Sequence, residues 1–265
     1  MKTLLMCEPD YFEVSYVINP WMANNVGMVN RALAARQWQQ LYATLSRHAS
    51  IQLISAVAGL PDMVFTANAG LVYPHRQVIV SSFRHRERQG ESQYYAKFFA
   101  DAGYHIEQLQ PASVFEGAGD ALFDSKGELW FGSGLRSDAA AIHALGNKLQ
   151  AEVNAVTLTD PRWYHLDTAF CPLSGGYALA YKAAFDADSV RLLQYKFGNR
   201  LIWVSAADAA NFACNAICLE QHIILYRASN ELKTILLGYN FKISEIDVSE
   251  FMKSGGSCKC MTLEI

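Results

Sequence analysis

Cys260 stands close to the end of the chain, behind Gly255 and Gly256 and ahead of Met261–Ile265, a run expected to form a short strand. A thiol carried from a glycine-loosened loop onto the start of a strand is one way of presenting a cysteine nucleophile. The position means little alone, because many cysteines near a C-terminus are inert. It gains weight because similar strand starts recur upstream, and several carry residues suited to the same chemistry. Asp62 and Asn68 belong to the first, Glu116 to the second, and His165 and Asp167 to the third. Each has a plain reading as well. Asp62 after Pro61 reads as a turn residue, and Glu116 among its glycines as the solvated carboxylate of a tight loop. His165 reads as a partly buried, partnered histidine, and Asp167 as a cap where a strand begins.

Taken together, these residues have a specific chemistry. Acceptor side chains facing a thiol suit a planar cation rich in N–H donors, and a guanidinium is such a cation. A guanidine carbon is a poor electrophile, so its hydrolysis needs a soft thiolate and a proton donor for the departing amine. Cys260 and His165 supply that pair. A neighbouring imidazolium or the bound cation would draw the thiol pKa toward neutrality. Water would finish the reaction, with the histidine acting in reverse.

Residues so distant in sequence can meet only if the fold repeats. Ala67-Asn68-Ala69-Gly70, Gly119-Asp120-Ala121-Leu122, Asp167-Thr168-Ala169-Phe170, Cys214-Asn215-Ala216-Ile217 and Cys260-Met261-Thr262-Leu263 each lead a small or polar pair into an apolar strand. Their spacing is roughly 46 to 51 residues, within the range of arrays and propellers. After most starts comes a strand, a turn such as Ser125-Lys126-Gly127 or Ser174-Gly175-Gly176, a second strand, a helix and a third strand. Second strands are expected at Gln77–Phe83, Glu128–Gly132 and Tyr177–Ala180. In the second module the helix is expected over Asp138–Leu149, capped by Ser137-Asp138 and carrying Ala141, Ile142, Leu145 and Leu149 at helical spacing. Val153–Leu158 then reads as a half-buried strand. The module that begins at Cys260 has no helix after it. The N-terminus supplies the missing parts, with a strand at Lys2–Cys7, a helix from about Asn30 to His48 and a strand at Ile51–Val57. Pairing the two ends of the chain closes a ring, which is expected to leave no free sheet edges. The reading is an α/β fold, a five-bladed α/β propeller of ββαβ modules around a pseudo-fivefold axis, forming one catalytic domain over 1–265.

Composition fits this reading. Of 265 residues, 51% are hydrophobic, enough to build a large core, and the net charge of −3 offers no basic field for nucleic acid or an anionic membrane. No apolar run approaches the roughly 20 residues of a membrane span. The N-terminus has no signal-type stretch. The six cysteines do not form a secreted disulfide framework, so reduced thiols in a cytoplasmic setting are expected. Cys214/Cys218 and Cys258/Cys260 lack the spacing and the histidines of a zinc site.

Five segments in this order make the chain resemble the guanidino-group-modifying (amidinotransferase-fold, or pentein) enzymes over nearly its whole length. They are Ile18-Asn19-Pro20-Trp21-Met22, Leu60-Pro61-Asp62-Met63-Val64-Phe65-Thr66-Ala67-Asn68, Phe115-Glu116-Gly117-Ala118-Gly119-Asp120, His165-Leu166-Asp167-Thr168 and Cys260-Met261-Thr262. The family includes arginine deiminases, arginine dihydrolases, dimethylarginine dimethylaminohydrolases and glycine amidinotransferases, and its fold is the five-bladed propeller. The resemblance implies Cys260 as nucleophile, His165 as catalytic histidine and Glu116 as the guanidine-binding acid. It implies substrate-binding roles for Asp62, Asn68 and Asp167, and for Arg88 and Arg136 at the amino-acid carboxylate. Arg88 lies in the run Arg84-His85-Arg86-Glu87-Arg88, which reads equally well as a solvated charge cluster. The loop from Tyr11 to Val29, with Asn19, Trp21, Asn24 and Asn25, is expected to cover the pocket and meet the α-amino-acid end; an ordinary packed surface loop is the alternative. Neither cofactor nor metal is implied.

Asn68 departs from the aspartate usual in deiminases and dimethylarginine hydrolases, and matches the arginine dihydrolase branch. An amide both donates and accepts, so it could hold the urea oxygen of citrulline for a second attack, which two carboxylates would disfavour. The resemblance therefore implies a cysteine-dependent hydrolase acting through a covalent S-alkylthiouronium, an arginine dihydrolase or deiminase. Dimethylarginine hydrolysis is the alternative, followed by an amidinotransferase or an inactive arginine-binding module. The partner is a small arginine-like molecule, and a homodimer is a fair expectation. Cys258 reads as a passive small residue or as an oxidation partner of Cys260.

Overall fold

The computed structural model describes residues 2–109 and 112–265. The N-terminal segment supplies two strands, β1 (Thr3–Cys7) and β2 (Ser50–Ile54). Then comes the first complete unit, β3 (Gly70–Tyr73), β4 (Gln77–Val80) and β5 (His105–Glu107). It recurs as β6 (Ala121–Phe123), β7 (Leu129–Ser133) and β8 (Val153–Thr157), and as β9 (Phe170–Pro172), β10 (Ala178–Ala180) and β11 (Leu201–Trp203). The fourth copy is β12 (Ile217–Leu219), β13 (His222–Leu225) and β14 (Lys242–Glu245). In each, the first two strands are antiparallel and the third lies parallel to the second. A parallel return requires a crossover, which a helix provides.

The last strand, β15 (Leu263–Glu264), pairs antiparallel with β1, and β2 runs parallel to β1. The two ends of the chain thus share the fifth sheet. This is the five-bladed α/β propeller of ββαβ modules. No β-ladder continues from blade to blade, however. There are five separate three-stranded sheets, joined among the described residues by the isolated bridges Ser82–Phe115 and Leu158–Phe185 and by single backbone bonds such as Ala67 N–H to Cys260 O. The expectation that closure removes sheet edges is corrected: packing and scattered hydrogen bonds join the ring, and each blade keeps its edges.

The crossover helices are Arg31–Leu45, Glu91–Asp101, Ala141–Leu149, Ala187–Phe197 and Asn230–Gly238. In the first, Ala34, Trp38, Leu41 and Leu45 recur at intervals of three or four and are buried with Phe12, Phe65 and Phe251. Each buried leucine-sized side chain contributes about 1.5–3 kcal/mol. Asn30, Asp186 and Ser229 cap three of the helices by accepting backbone N–H bonds. The expected Ser137-Asp138 cap is corrected. That helix begins at Ala141 without a side-chain cap, because both residues bond elsewhere. Ser137 Oγ accepts from Glu116 N–H at 2.9 Å and donates to Asp120 at 2.6 Å, while Asp138 binds Arg84 at 2.6 Å.

The strand expected from Met261 is also shorter, and Cys260 lies in a turn before it. The other polar starts sit on short helical turns as well, at Thr66–Ala69, Gly117–Gly119 and Leu166–Ala169. Such a turn frees side chains from the alternating faces of a strand. Two adjoining hollows of about 120 and 400 Å³ are lined by residues of β3, β6, β9, β12 and β15, placing the first strand of every blade around one axis. No helix of the described residues is long and apolar enough to cross a membrane.

Candidate active site

Three blades meet at Gly119. A Cβ there would come within 2.3 Å of Asn68 Nδ2 and 3.3 Å of the His165 ring, so only glycine admits both neighbours. Its partner in the turn, Gly117, has φ +63° and packs against the Gly70 backbone. These glycines let Glu116 enter the centre with no exposed surface.

Glu116 Oε2 accepts from Arg136 Nη1 at 2.9 Å and lies 2.7 Å from His165 Nε2, while Oε1 accepts from the Arg84 N–H at 3.1 Å. Burial alone would raise this carboxyl. Arg136 and the His165 hydrogen bond outweigh burial and hold its pKa well below the usual carboxylate range. Arg136 also donates to Ile18 O at 3.1 Å and stacks on the Tyr164 ring at 4.5 Å. Asp120, next to this cluster, accepts from Leu166 N–H at 3.0 Å and from Ser137, and burial pushes its pKa up to about 6.

On the other side of Asn68 lies Arg88. It is 3% exposed, so the solvated-cluster reading of its sequence run is corrected. Its Nε and Nη2 each donate to Glu91 at 2.8 Å, its Nη1 donates to Asn68 Oδ1 at 2.9 Å, and it lies over the Phe83 ring. Asn68 Nδ2 in turn donates to Glu116 O at 2.9 Å. Asp62 accepts from Tyr16 OH at 2.8 Å and from Ser254 Oγ at 3.1 Å, with Arg88 Nε at 4.0 Å. Burial and the Asp62 charge both raise the Tyr16 phenol pKa strongly, keeping it a donor.

Cys260 Sγ lies 3.5 and 3.8 Å from the two oxygens of Asp167 and 3.0 Å from Asn215 Nδ2. Its carbonyl accepts from Ala67 N–H at 3.0 Å, which ties the nucleophile loop to the turn carrying Asn68. Burial, and then Asp167, push the thiol well up, so the resting group is a thiol. Burial likewise raises Asp167, to about 6. His165 opens the short turn on which Asp167 lies, and its ring packs against Tyr164, whose hydroxyl donates to Gly255 O at 2.8 Å. Cys258 is fully buried and its thiol is pushed up to about 12, so it holds little thiolate at neutral pH.

Asn19 anchors the Tyr11–Val29 loop. Its Oδ1 accepts from Trp21 and Met22 N–H, and its Nδ2 donates to Ser254 O at 2.9 Å. Together with Tyr16 and the Ile18 carbonyl, it sets this loop directly over the centre. The expected residues fall in two buried clusters, one of Asn19, Asp62, Asn68, Arg88, Glu116, Arg136 and His165 and one of Asp167 and Cys260, which the His165 turn and the Ala67–Cys260 backbone bond join. Sequence reasoning left out Asn215, Glu91, Tyr16 and Ser254. A signal existed for Asn215, because Cys214-Asn215-Ala216 repeats the pattern of Ala67-Asn68-Ala69.

Residues 9–265 match the family model described as N,N dimethylarginine dimethylhydrolase, eukaryotic. The chain is 46% identical to the bifunctional arginine dihydrolase/ornithine cyclodeaminase AgrE of a Nostoc species, over 98% of its own length and 37% of that protein's. It therefore spans little more than a third of that relative. With the N(G),N(G)-dimethylarginine dimethylaminohydrolase of Mycobacterium tuberculosis it shares 37% identity over 98% of itself and 84% of the relative. Among solved structures, the N-terminal domain of the cyanobacterial arginine dihydrolase ArgZ bound to substrate superposes with TM-score 0.97 at 44% identity, covering 100% of this chain and 98% of that one. The same domain covalently bonded to a reaction intermediate superposes with TM-score 0.98. The chain belongs to the dimethylarginine dimethylhydrolase family of guanidino-group-modifying enzymes.

Proposed function

We propose that this family member is an arginine dihydrolase, converting arginine and two waters to ornithine, two ammonia and carbon dioxide. The observation that supports the reading is that a buried Glu116–His165–Asn68 cluster and a buried Asp167–Cys260 pair stand on adjoining turns, His165 opening the turn that carries Asp167 and Ala67 N–H, beside Asn68, bonding the Cys260 carbonyl. Likeness to the arginine dihydrolases AgrE and ArgZ, the latter with a covalent intermediate, supports it.

The substrate guanidinium lies against Glu116 and Asp167 and stacks its charge beside the thiol, which lowers the thiol pKa. Sγ adds to the guanidine carbon. His165 protonates the departing nitrogen, ammonia leaves, and an S-alkylthiouronium remains. His165 then takes a proton from water, which attacks the same carbon and expels the thiol to give citrulline. In the second round Sγ adds to the urea carbon and a second ammonia leaves. Water cleaves the resulting thiocarbamate, and the carbamate released falls apart to carbon dioxide and ornithine. Asn68 favours this second round, because an N–H of Nδ2 can hold a neutral urea oxygen where a carboxylate would repel it.

Arg88 and Arg136 take the substrate carboxylate while Glu91 and Glu116 continue to hold them, and Asp62 takes the α-ammonium. Asn19 holds the covering loop over that end. The whole of 1–265 acts as one catalytic unit. The test is to incubate purified protein with arginine and count ammonia per arginine consumed. Two ammonia with ornithine fits the reading, whereas one ammonia with lasting citrulline makes the protein a deiminase. A second reading follows from the family match itself: release of methylamines from methylated arginines, checked in the same assay with those substrates.

A further inference from the structure

The blade that sequence reasoning left without a chemical residue contributes Asn215, whose side chain is fully buried between two residues of the proposed chemistry. Its Oδ1 accepts from the N–H groups of Ser257 and Cys260, both at 3.1 Å. Its Nδ2 donates to Asp167 O at 3.0 Å and faces Cys260 Sγ at 3.0 Å. The amide orientation follows from the partners themselves. Two N–H groups fix the oxygen, and turning the amide over would set its NH₂ against both of them and its oxygen against a carbonyl. One N–H of Asn215 is therefore left for the sulfur.

We propose that Asn215 is the positioning residue of the nucleophile, its oxygen fixing the loop that carries Cys260 and its N–H holding the sulfur and favouring the thiolate. This rests on the reading of Cys260 as the nucleophile. The role is one the site needs. Burial and the facing Asp167 both oppose the thiolate, and a hydrogen bond donated to sulfur favours it. The charged and titratable groups acting on the sulfur are Asp167, Lys259 and Tyr164; among them Lys259 adds a favourable charge. Asn215 is a neutral donor to sulfur that leaves the site's net charge unchanged. The pseudo-fivefold repeat gives it a counterpart with a different task. Asn68, the same position in the first blade, turns its amide toward Arg88 and Glu116, whereas Asn215 turns toward the thiol. Two copies of one repeat position thus serve opposite ends of the reacting bond.

The test uses two variants. Asn215→Ala removes the donor with no change of charge; Asn215→Asp keeps an acceptor for the two loop N–H groups, loses the donor and adds a carboxylate that itself opposes the thiolate. Iodoacetamide alkylation of Cys260 is followed by mass spectrometry across pH, beside kcat and KM for arginine. Losing a hydrogen bond to a charged group should move the alkylation midpoint of Asn215→Ala upward by about 1–2 pH units, and that of Asn215→Asp further, because its carboxylate adds like charge. It should lower kcat by about 10–100-fold while KM stays within about threefold. A folded Asn215→Ala whose alkylation midpoint coincides with that of the parent overturns the proposal, whatever its kcat. If neither variant folds, a crystal structure of the parent decides. Nδ2 at hydrogen-bond distance from Sγ sustains the proposal, and an amide turned away from the sulfur ends it. Alkylation does not require turnover, so a parent that releases no ammonia from arginine would defeat the dihydrolase reading and leave this test intact.

Discussion

Two buried arginine–glutamate pairs flank Asn68 and end in opposite electrostatic states. Glu116 meets Arg136, His165 and a backbone N–H, and its carboxyl is held well below the ordinary range. Among the described residues Glu91 meets Arg88 and, at longer range, the Tyr95 hydroxyl, and burial pushes it up to about 7. Both side chains are equally removed from water. What differs is the number of positive partners, and Arg88 is further divided among Glu91, Asn68 and Asp62. Burial is therefore overcome only where charge and hydrogen bonds converge. Glu116 is a permanent anion suited to a cationic substrate, and Glu91 serves to hold Arg88 in place.

The difference can be broken by mutation. Glu116→Gln should produce the largest effect, with kcat/KM for arginine falling by about 10²–10³-fold, measured by ammonia release. Its stability change has a definite sign. The folded pKa of Glu116 is depressed, so its contribution is full above the ordinary glutamate range, about pH 5 and higher, and is lost as pH falls through the depressed value. Urea midpoints should show Glu116→Gln most destabilised near neutrality and closest to the parent in acid.

Gly119→Ala tests the junction between the two pairs, since its Cβ would meet the Asn68 amide. It should lose about 1–3 kcal/mol of stability and about tenfold in kcat, because a small displacement of a reacting group is expensive. Unchanged kcat would mean that the amide and the imidazole tolerate separation.

Glu91→Gln should raise KM about five- to tenfold, with a smaller change in kcat, as expected for uniform binding lost through a misplaced Arg88. Here the pH trend reverses. The folded pKa lies above the ordinary 4.5, so the contribution of Glu91 is complete below that value and lost as pH rises through about 7. The variant should be closest to the parent at pH 8 and furthest from it in acid. Parallel pH trends for the two glutamine variants would remove the distinction between the pairs.

Asn68→Asp is the subtlest change, about twofold in one ratio. A second acceptor-only group beside Glu116 should disfavour the neutral urea, so ammonia per arginine should fall from two toward one and citrulline should accumulate. A ratio that stays at two assigns the second round to another residue.

The repeat was legible because a blade is short and its strands are apolar, so the starts near Asn68, Asp120, Asp167, Asn215 and Cys260 stand out at regular spacing. The pairing of β1 with β15 followed from the missing helix after Cys260. What was not legible depended on which side chains local backbone groups engage. Ser137 looked like a helix cap because nothing in sequence announces that Glu116 N–H and Asp120 claim its hydroxyl. Arg88 looked solvated because its partner Glu91 lies a turn further on, in what reads as an ordinary charged helix start. Asn215 could have been found by placing it in register with Asn68, and was hidden between cysteines that drew attention to metal binding instead.

The claim beneath all of this is that the Cys260 thiol attacks a guanidine carbon held in the Glu116–His165 network. Rapid acid quench of the enzyme during turnover of arginine, followed by mass spectrometry of the peptide that carries Cys260, tests it most directly. The account predicts an adduct on Cys260 with the mass of arginine less one ammonia, absent from Cys260→Ser. Full arginine hydrolysis by Cys260→Ser, or an adduct on another residue, would contradict it.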